Sequence, residues 1–305
     1  MIDQFIDYLE NIKRYSEHTI SGYQRDLLDF ERFIIEESLA PSIIEVKRSR
    51  IIRHYISFMQ NLNRSSKTIS RRLSSLRMYY EYCVEQGILD INLMHEIQAP
   101  KIEKRLPKRI HDDEMTTLFR LMDKTKPLTF RNYIMLDILY SCGLRASELV
   151  SLKIKDVDIA ERSFKILGKG QKMRYVPFTN TIAENLSHYL TFERADVLIH
   201  TGQPQTPYVF LSRLGKKMTV RNLEKMVQNV IYQSGETYQL HPHMLRHAFA
   251  STLLSHGADL RSVQELLGHE QLTSTQIYTH LDNKNIQKMY QNSHPRMQHK
   301  KKETS

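Results

Sequence analysis

The sequence has only two cysteines, Cys83 and Cys142, which stand far apart and outside any C-x-x-C pattern. It therefore supports neither a disulfide framework nor a zinc knuckle, and we expect a reducing compartment. No apolar run approaches the roughly 18 residues that a membrane-spanning helix needs. The opening stretch MIDQFIDYLENIKRY carries acids where a signal peptide would carry positive charge. Together these absences predict a soluble, cytoplasmic protein with no membrane partner.

Acidic residues are missing from one long stretch of the chain. Residues 46–80 hold nine basic side chains and no acid, whereas residues 1–40 hold nine acids and four basic side chains. The formal net charge of +10 favours a polyanionic partner, although RNA-binding or membrane-surface proteins share it and an ordinary solvated helix surface could explain the stretch. We predict that eight of these side chains contact the phosphates of a nucleic acid. They are Lys47, Arg48, Arg50, Arg64, Lys67, Arg71, Arg72 and Arg77.

The length of 305 residues and the hydrophobic content of 40% predict about two domains. Helical periodicity recurs through residues 1–90, where Ser16 and either Ser65 or Ser66 are expected N-caps. Residues 91–110 lose that periodicity and contain two prolines, which predicts an extended basic linker. Residues 111–295 predict a second domain of helices, with short β-rich runs around a Gly-Lys-Gly turn. The expected fold is mainly α with a small antiparallel β-sheet, followed by a disordered tail at 296–305.

Four clusters of polar residues in the second domain could carry chemistry. Their sequences are GLRASEL, GKGQKMR, HPHMLRHAF and LGHEQLTSTQIYTH. If they converge in space, they supply two guanidiniums, one ammonium, two imidazoles and a phenol. That mixture suits phosphoryl transfer without a metal or other cofactor.

Each group has a natural role in such a transfer. Arg145 and Arg246 would clamp the non-bridging oxygens of a phosphodiester, on which charge develops during attack. Tyr278 would be the nucleophile, and its phosphotyrosine bond would store the energy for religation, so that no ATP is needed. Lys169, on a tight hairpin between glycines, would protonate the departing 5′ oxygen, and His243 and His269 would move protons or donate hydrogen bonds.

Taken singly, these residues also fit roles without any catalysis. Arg145 could pair with Glu148 three positions along a helix, Gly-Lys-Gly is common hairpin chemistry, and Tyr278 is one of sixteen tyrosines. His243 and His247 have the i, i+4 spacing of a zinc pair, which makes a zinc hydrolase a remote rival. Three further histidines could complete such a site: His241, His256 and His269. Against zinc, the pattern H-M-L-R-H lacks the glutamate of H-E-x-x-H and places a cationic arginine beside the metal.

The blocks GLRASEL, GKGQKMRYVPF and HPHMLRHAFASTLLSHGADLRSVQELLGHEQLTSTQIYTHLD resemble the signature blocks of tyrosine recombinases of the Xer and phage-integrase family. The resemblance puts six residues on catalytic positions: Arg145, Lys169, His243, Arg246, His269 and the nucleophile Tyr278. It implies a two-domain DNA clamp, in which a helical core-binding domain precedes the catalytic domain. It also implies a homo- or hetero-tetramer on double-stranded DNA at a specific recombination site, with the C-terminal segment packing on a neighbouring protomer.

The biological role is less defined than the chemistry. The compact length and the block HGADLRSVQELLGH resemble Xer proteins, which resolve chromosome dimers, more than longer phage integrases. A transposon or plasmid recombinase of similar size would share every catalytic block. A DNA-binding regulator without the chemistry would have no use for all six polar groups, and a type IB topoisomerase would be a mechanistic relative.

Overall fold

The computed structural model describes residues 1–101, 110, 112–168, 173–235, 240–268, 289, 290, 293 and 296. The chain divides into two compact units, Met1–Leu106 and Pro107–Ser305. The first is helical and the second combines helices with a three-stranded antiparallel sheet, so the predicted fold class is confirmed. No helix in the described ranges is both long and apolar enough to cross a membrane.

Amphipathic helices build the N-terminal unit. They are α1 Ile2–Asp7, continued by a π-helical turn at Tyr8–Ile12, then α2 Glu17–Glu36, α3 Ser49–Asn61 and α4 Ser66–Glu85. As the sequence predicts, Ser16 and Ser65 cap α2 and α4, because each hydroxyl accepts a hydrogen bond from the backbone N–H three residues later. The helices enclose an aromatic-rich core that includes Phe30, Tyr55 and Tyr79.

This N-terminal core continues past residue 90, where the sequence places the start of the linker. Leu93–Glu96 forms a 3-10 helix, and Met94 and Ile97 are buried in the same core. These two apolar side chains hold the backbone against the unit, so this part of the segment is not extended. Residues 102–109 lie outside the described residues, and the rest of the linker remains a prediction.

Eight α-helices have their bounds within the described residues of the C-terminal unit, and a 3-10 helix lies at Ile154–Asp156. The α-helices are α5 Asp112–Leu121, α6 Pro127–Cys142, α7 Ala146–Ser151, α8 Asn180–Thr191, α9 Glu193–Thr201, α10 Val220–Gln233, α11 Pro242–Ser255 and α12 Leu260–Leu267. Helix α6 is buried along most of its length and lies at the centre of the core. Residue 296, where the sequence places the start of the tail, is an arginine with helical backbone that forms an ion pair with buried Asp137. The remainder of that tail lies outside the described residues.

The sheet lies between α7 and α8 in the sequence. Its strands are β1 Val157–Asp158, β2 Ser163–Leu167 and β3 Met173–Pro177, paired in the order β1-β2-β3. Strand β2 pairs with β3 from Leu167 opposite Met173 to Ser163 opposite Pro177, as expected for a hairpin. Residues 169–172, which separate the two strands in the sequence and include Lys169, lie outside the described residues.

A glycine turn connects α6 to α7 and sets the position of the arginine that follows. Gly143 has φ of 62°, and a Cβ there would lie 2.3 Å from Cδ1 of Phe249 on α11. Only glycine accepts both the left-handed backbone and this close approach without strain. The turn delivers Arg145 to the N-cap of α7.

Candidate active site

Three guanidinium groups converge on the carboxylate of Glu148 in α7. The first belongs to Arg145, whose Nη1 donates to Glu148 Oε1 at 2.8 Å. The backbone N–H of Arg145 also donates to Glu148 Oε2 at 2.8 Å, as the N-terminus of a short helix requires. The helical pairing of Arg145 with Glu148 is therefore present, but it is one part of a larger cluster.

Strand β3 supplies the second guanidinium, that of Arg174. Its Nη1 and Nη2 donate to the two carboxylate oxygens of Glu148 at 2.9 and 2.8 Å, a bidentate pair. Both side chains are buried, with exposed fractions of 5% for Arg174 and 7% for Glu148. Arg174 therefore anchors α7 to the sheet.

The third guanidinium comes from α11. Arg246 Nη1 donates to the carbonyl of Gly143 at 2.6 Å and lies 3.9 Å from Glu148 Oε2. The Arg246 side chain is also buried, whereas that of Arg145 is 35% exposed. Glu148, Arg174 and Arg246 are therefore the buried members of the cluster, and the guanidinium of Arg145 is the most accessible.

All three arginines also bind the C-terminal end of α12. The last carbonyls of a helix have no partner within it, and guanidiniums supply the missing donors here. Arg174 Nε donates to Leu266 O at 2.8 Å, Arg246 Nη2 to Leu267 O, and Arg145 Nη2 to Gly268 O at 3.2 Å. The chain therefore reaches the cluster at the residue just before His269.

Charge in the cluster is unbalanced, because three guanidiniums surround one carboxylate. Burial alone would raise the pKa of Glu148, but hydrogen bonds and charge from Arg174 and Arg145 outweigh it and lower that pKa. Burial, with repulsion from Arg145 and Arg174, lowers the pKa of Arg246 to about 10. The cluster therefore has a net positive charge and can bind an anion such as a phosphodiester.

The structure places three of the six predicted catalytic residues. Arg145 and Arg246 meet at the same carboxylate. His243 is exposed near the start of α11, three residues before Arg246 and therefore on a neighbouring turn of the same helix face. Lys169, His269 and Tyr278 lie outside the described residues, so their positions remain predictions.

Sequence reasoning missed Arg174 and gave Glu148 only a minor role. A signal for Arg174 exists in its strand, where burial alternates and Arg174 shares the inward side with Val176. A charged residue at an inward position of a short apolar strand needs a buried partner. That partner is Glu148, which stands in the GLRASEL block.

A metal site finds no support in the described ranges. They contain no group of three or more His, Cys, Asp or Glu side chains placed to hold a metal ion. His243 and His247 are both exposed on α11, and Nδ1 of His247 lies 3.4 Å from the hydroxyl of Ser251. The zinc-hydrolase alternative therefore rests on residue spacing alone.

The eight predicted phosphate contacts fall into two groups in the N-terminal unit. Five are exposed and form no ion pair with another described residue: Lys47, Arg48, Arg50, Arg64 and Lys67. The other three bind groups within the unit. Arg71 makes two hydrogen bonds to Asp26, Arg72 binds Tyr55 and Asp29, and Arg77 reaches the carbonyl of Ile97. The first group is available to an external anion, whereas Arg71 and Arg72 already have carboxylate partners.

Comparisons with known proteins match both units to family models. Residues 108–285 match the model described as phage integrase family, and residues 2–87 match the phage integrase N-terminal SAM-like domain. The chain is 38% identical over 292 residues to tyrosine recombinase XerC of Bacillus licheniformis, covering 96% of this chain and 95% of that protein. It is 35% identical to XerC of Bacillus subtilis, again over 96% of this chain and 95% of that protein.

Solved structures with the same fold include recombinases bound to DNA. XerH bound to its palindromic difH substrate, in a post-cleavage complex, has a TM-score of 0.67 and 24% identity, covering 95% of this chain and 83% of that chain. The integrase of transposon Tn1549 in complex with transposon right end DNA has a TM-score of 0.71 and 17% identity, covering 94% and 98%. At these identities the likeness establishes the fold.

Proposed function

The chain belongs to the phage integrase family of tyrosine recombinases, and we propose that it cleaves and rejoins DNA at a specific recombination site to resolve chromosome or plasmid dimers. The observation that carries the chemistry is the meeting of Arg145 and Arg246 at Glu148. These arginines stand far apart in sequence, and a surplus of buried positive charge is costly unless an anion offsets it. A scissile phosphate is the anion that the family chemistry provides.

Cleavage begins with attack of the Tyr278 phenol on the phosphorus. Its oxygen forms a bond to phosphorus, the bond from phosphorus to the 5′ oxygen breaks, and the DNA is left as a 3′-phosphotyrosine ester. Arg145 and Arg246 hold the non-bridging oxygens, whose charge grows in the transition state. Because the ester bond keeps the energy of the phosphodiester, religation needs no ATP.

Two proton transfers accompany this exchange. The phenol, with an ordinary pKa of about 10, must lose its proton as it attacks, and the departing 5′ oxygen must gain one. We assign the second transfer to Lys169, and we assign the first, with further hydrogen bonds to the phosphate, to His243 and His269. In religation the 5′ hydroxyl attacks the phosphotyrosine, and the same groups act in reverse.

The relatives support the biological role. XerC proteins match this chain at 35–38% identity across nearly its whole length, whereas the similarity to a transposon integrase shows the fold alone. We propose that the protein acts in the cytoplasm, where chromosomal and plasmid DNA lie, and that its working form is a homo- or hetero-tetramer on double-stranded DNA. The alternative role is that of a mobile-element integrase. It would use the same cleavage and rejoining chemistry, but would join the ends of a mobile element to other DNA instead of resolving dimers.

The chemistry is tested with a nicked suicide substrate in excess EDTA. We expect a protein–DNA adduct that survives denaturation with the wild type and is absent with Tyr278→Phe. If the wild type forms none, or if the Tyr278→Phe variant still forms it, the proposed mechanism is wrong.

The role is tested in cells that lack the protein. For dimer resolution, plasmid or chromosome multimers should accumulate and should disappear when the wild type, but not Tyr278→Phe, is restored. Loss of an excised circular element without any change in multimers would favour the mobile-element alternative.

A further inference from the structure

Arg174 is a buried arginine that links three parts of the catalytic unit. It lies on β3, binds both carboxylate oxygens of Glu148 in α7, and donates Nε to the carbonyl of Leu266 in α12. Its side chain is 5% exposed. Gly268 allows the close packing, because a Cβ at this residue would lie 3.3 Å from Arg174 Nη1.

We propose that Arg174 is a positioning residue for DNA cleavage, which acts by holding Glu148 and the end of α12 so that Arg145 and Arg246 are oriented for the phosphate. The proposal rests on the proposed function. All three nitrogens of the Arg174 guanidinium donate to protein acceptors, two of them to the carboxylate of Glu148, so we assign it no contact with DNA. Its effect must therefore pass through its neighbours.

The first route runs through the carboxylate. Oε1 of Glu148 accepts from Arg145 Nη1 at 2.8 Å and from Arg174 Nη1 at 2.9 Å, so the two arginines share one oxygen. Without Arg174, the carboxylate loses its bidentate partner and is free to turn towards Arg145. A tighter pair with Glu148 would draw the Arg145 guanidinium away from a phosphate.

The second route runs through α12. The carbonyls of Leu266, Leu267 and Gly268 bind Arg174, Arg246 and Arg145 in turn. Loss of the first contact loosens the backbone on which the other two guanidiniums rest. A displacement of about 1 Å in a catalytic group can cost about 100-fold in rate, even when its cause lies outside the reacting centre.

The charge of Arg174 should also affect how the cleavage rate depends on pH. The charged groups that face the Glu148 carboxylate are Arg145 from the start of α7, Arg174 from β3 and Arg246 from α11. Burial acts to raise the pKa of Glu148, and the hydrogen bond and charge of Arg174 are the largest opposing effects. Removal of Arg174 should therefore raise the pKa of Glu148. If the cluster needs ionised Glu148, the variant should lose activity on acidification at a higher pH than the wild type does.

The test compares Arg174→Gln and Arg174→Lys with a matched control. Arg194 in α9 is likewise buried and donates to two carbonyls, those of Thr206 and Tyr208, and none of its hydrogen bonds to described residues reaches the arginine cluster. Arg194→Gln therefore reproduces the general cost of losing a buried arginine. The measurement is the single-turnover rate of adduct formation on suicide DNA, per folded molecule, across a range of pH, with DNA affinity measured in parallel.

We expect Arg174→Gln to slow cleavage about 100-fold with DNA affinity nearly unchanged, and to move the acid limb of the rate profile to higher pH. Arg174→Lys should restore the position of that limb, because it keeps the charge, but recover only part of the rate, because an ammonium lacks the planar fork. Arg194→Gln should leave rate and profile as in the wild type. The proposal is overturned if Arg174→Gln cleaves at the wild-type rate, or if it slows cleavage with an unchanged profile.

A second readout separates this proposal from the function on which it rests. The titration of the Glu148 carboxyl can be followed by carbon NMR, with its signal assigned by loss in Glu148→Gln. We expect a higher pKa in Arg174→Gln than in the wild type, and equal values would overturn the proposal even if the wild type forms the adduct as expected. Absence of any wild-type adduct would instead contradict the proposed function. The titration would still show whether Arg174 holds the Glu148 carboxylate in its ionised form.

Discussion

Each unit of the protein contains a buried carboxylate bound by arginines, and the two networks differ in charge. In the N-terminal unit, Asp26 accepts two hydrogen bonds from Arg71 and one from the hydroxyl of Ser75, while Arg72 pairs mainly with Asp29. Two acids therefore face two arginines. In the C-terminal unit, Glu148 alone faces three, namely Arg145, Arg174 and Arg246.

The difference separates a structural network from one that awaits a ligand. Both carboxylates are buried and both are held by bidentate arginine, so the hydrogen bonds alone do not tell the two apart. A balanced network satisfies its own charges and ties helices together. An unbalanced network keeps positive charge for an anion from outside, and substitutions that break one network at a time distinguish the two.

Removing Arg246 should give the largest effect. Arg246→Ala deletes one of the two guanidiniums assigned to the phosphate, and loss of a single donor to developing charge costs about 100- to 1,000-fold in rate. DNA affinity should change little, because the interaction strengthens mainly in the transition state. Adduct formation on suicide DNA and equilibrium binding measure the two effects.

Arg131→Ala is the matched control for this experiment. Arg131 is also buried and donates to a carbonyl, that of Leu211, at 2.6 Å, as Arg246 does to that of Gly143. It should destabilise the unit without affecting cleavage per folded molecule. Equal losses of binding and cleavage in Arg246→Ala would contradict its assignment to the transition state.

Breaking the balanced network should affect stability instead of catalysis. Asp26→Asn leaves Arg71 and Arg72 without their shared carboxylate, and losing one partner of a fully buried pair costs about 3–5 kcal/mol. Arg71 is 53% exposed, so we expect a smaller loss of about 2–3 kcal/mol in the free energy of unfolding. Denaturant unfolding measures it. A stable variant with slow cleavage would show that this network is not purely structural.

Much of the fold could be predicted from sequence because its determinants are local. The N-caps Ser16 and Ser65 and the hairpin around Gly168 depend on residues within a few positions of one another. The continued packing of Met94 and Ile97 could not be predicted, because two apolar residues three positions apart in a proline-containing segment give no periodic signal.

The site was predictable in its parts and less so in its charge balance. The sequence blocks predicted that Arg145 and Arg246 come together, and both lie beside Glu148. Their role as two donors for one anion stays a prediction. Counting charges along residues 46–80 did not reveal that Arg71 and Arg72 meet acids of α2, because these partners stand 45 and 43 residues away. Pairing over such distances is set by helix packing, which composition does not record.

The unpaired basic residues of the N-terminal unit provide a more modest test. Arg64 and Lys67 are exposed and have no carboxylate partner among the described residues, whereas Arg72 has one. If both contact phosphates, Arg64→Gln with Lys67→Gln should weaken binding and reduce the slope of log affinity against log salt by about 1.8, or about 0.9 for each contact. Arg72→Gln should change stability more than that slope. Identical slopes in all variants would remove these residues from the DNA interface.

The smallest expected effect is the pH dependence of stability from Glu148. Its pKa in the folded chain is lowered below the ordinary 4.5, so its ionised form stabilises the fold at pH above 4.5. That stabilisation is lost as the pH falls from 4.5 through the lower pKa of the folded chain. Unfolding free energies of the wild type and Glu148→Gln should therefore converge as the pH is lowered below 4.5, because the advantage of the ionised carboxylate disappears there.

Asp137 is a control of opposite sign for that measurement. Burial raises the pKa of Asp137 in spite of the opposing charge of Arg296. Protonation at low pH therefore removes a buried charge and stabilises the folded state. Asparagine cannot change its charge, so this gain in stability at low pH should be absent in Asp137→Asn. As the pH falls, the difference in unfolding free energy should therefore shift in favour of the wild type, opposite to the shift for Glu148→Gln. If Glu148→Gln followed the same trend as Asp137→Asn, the three arginines would not outweigh burial at Glu148. The contrast between a balanced and a positively charged network would then lose its electrostatic basis.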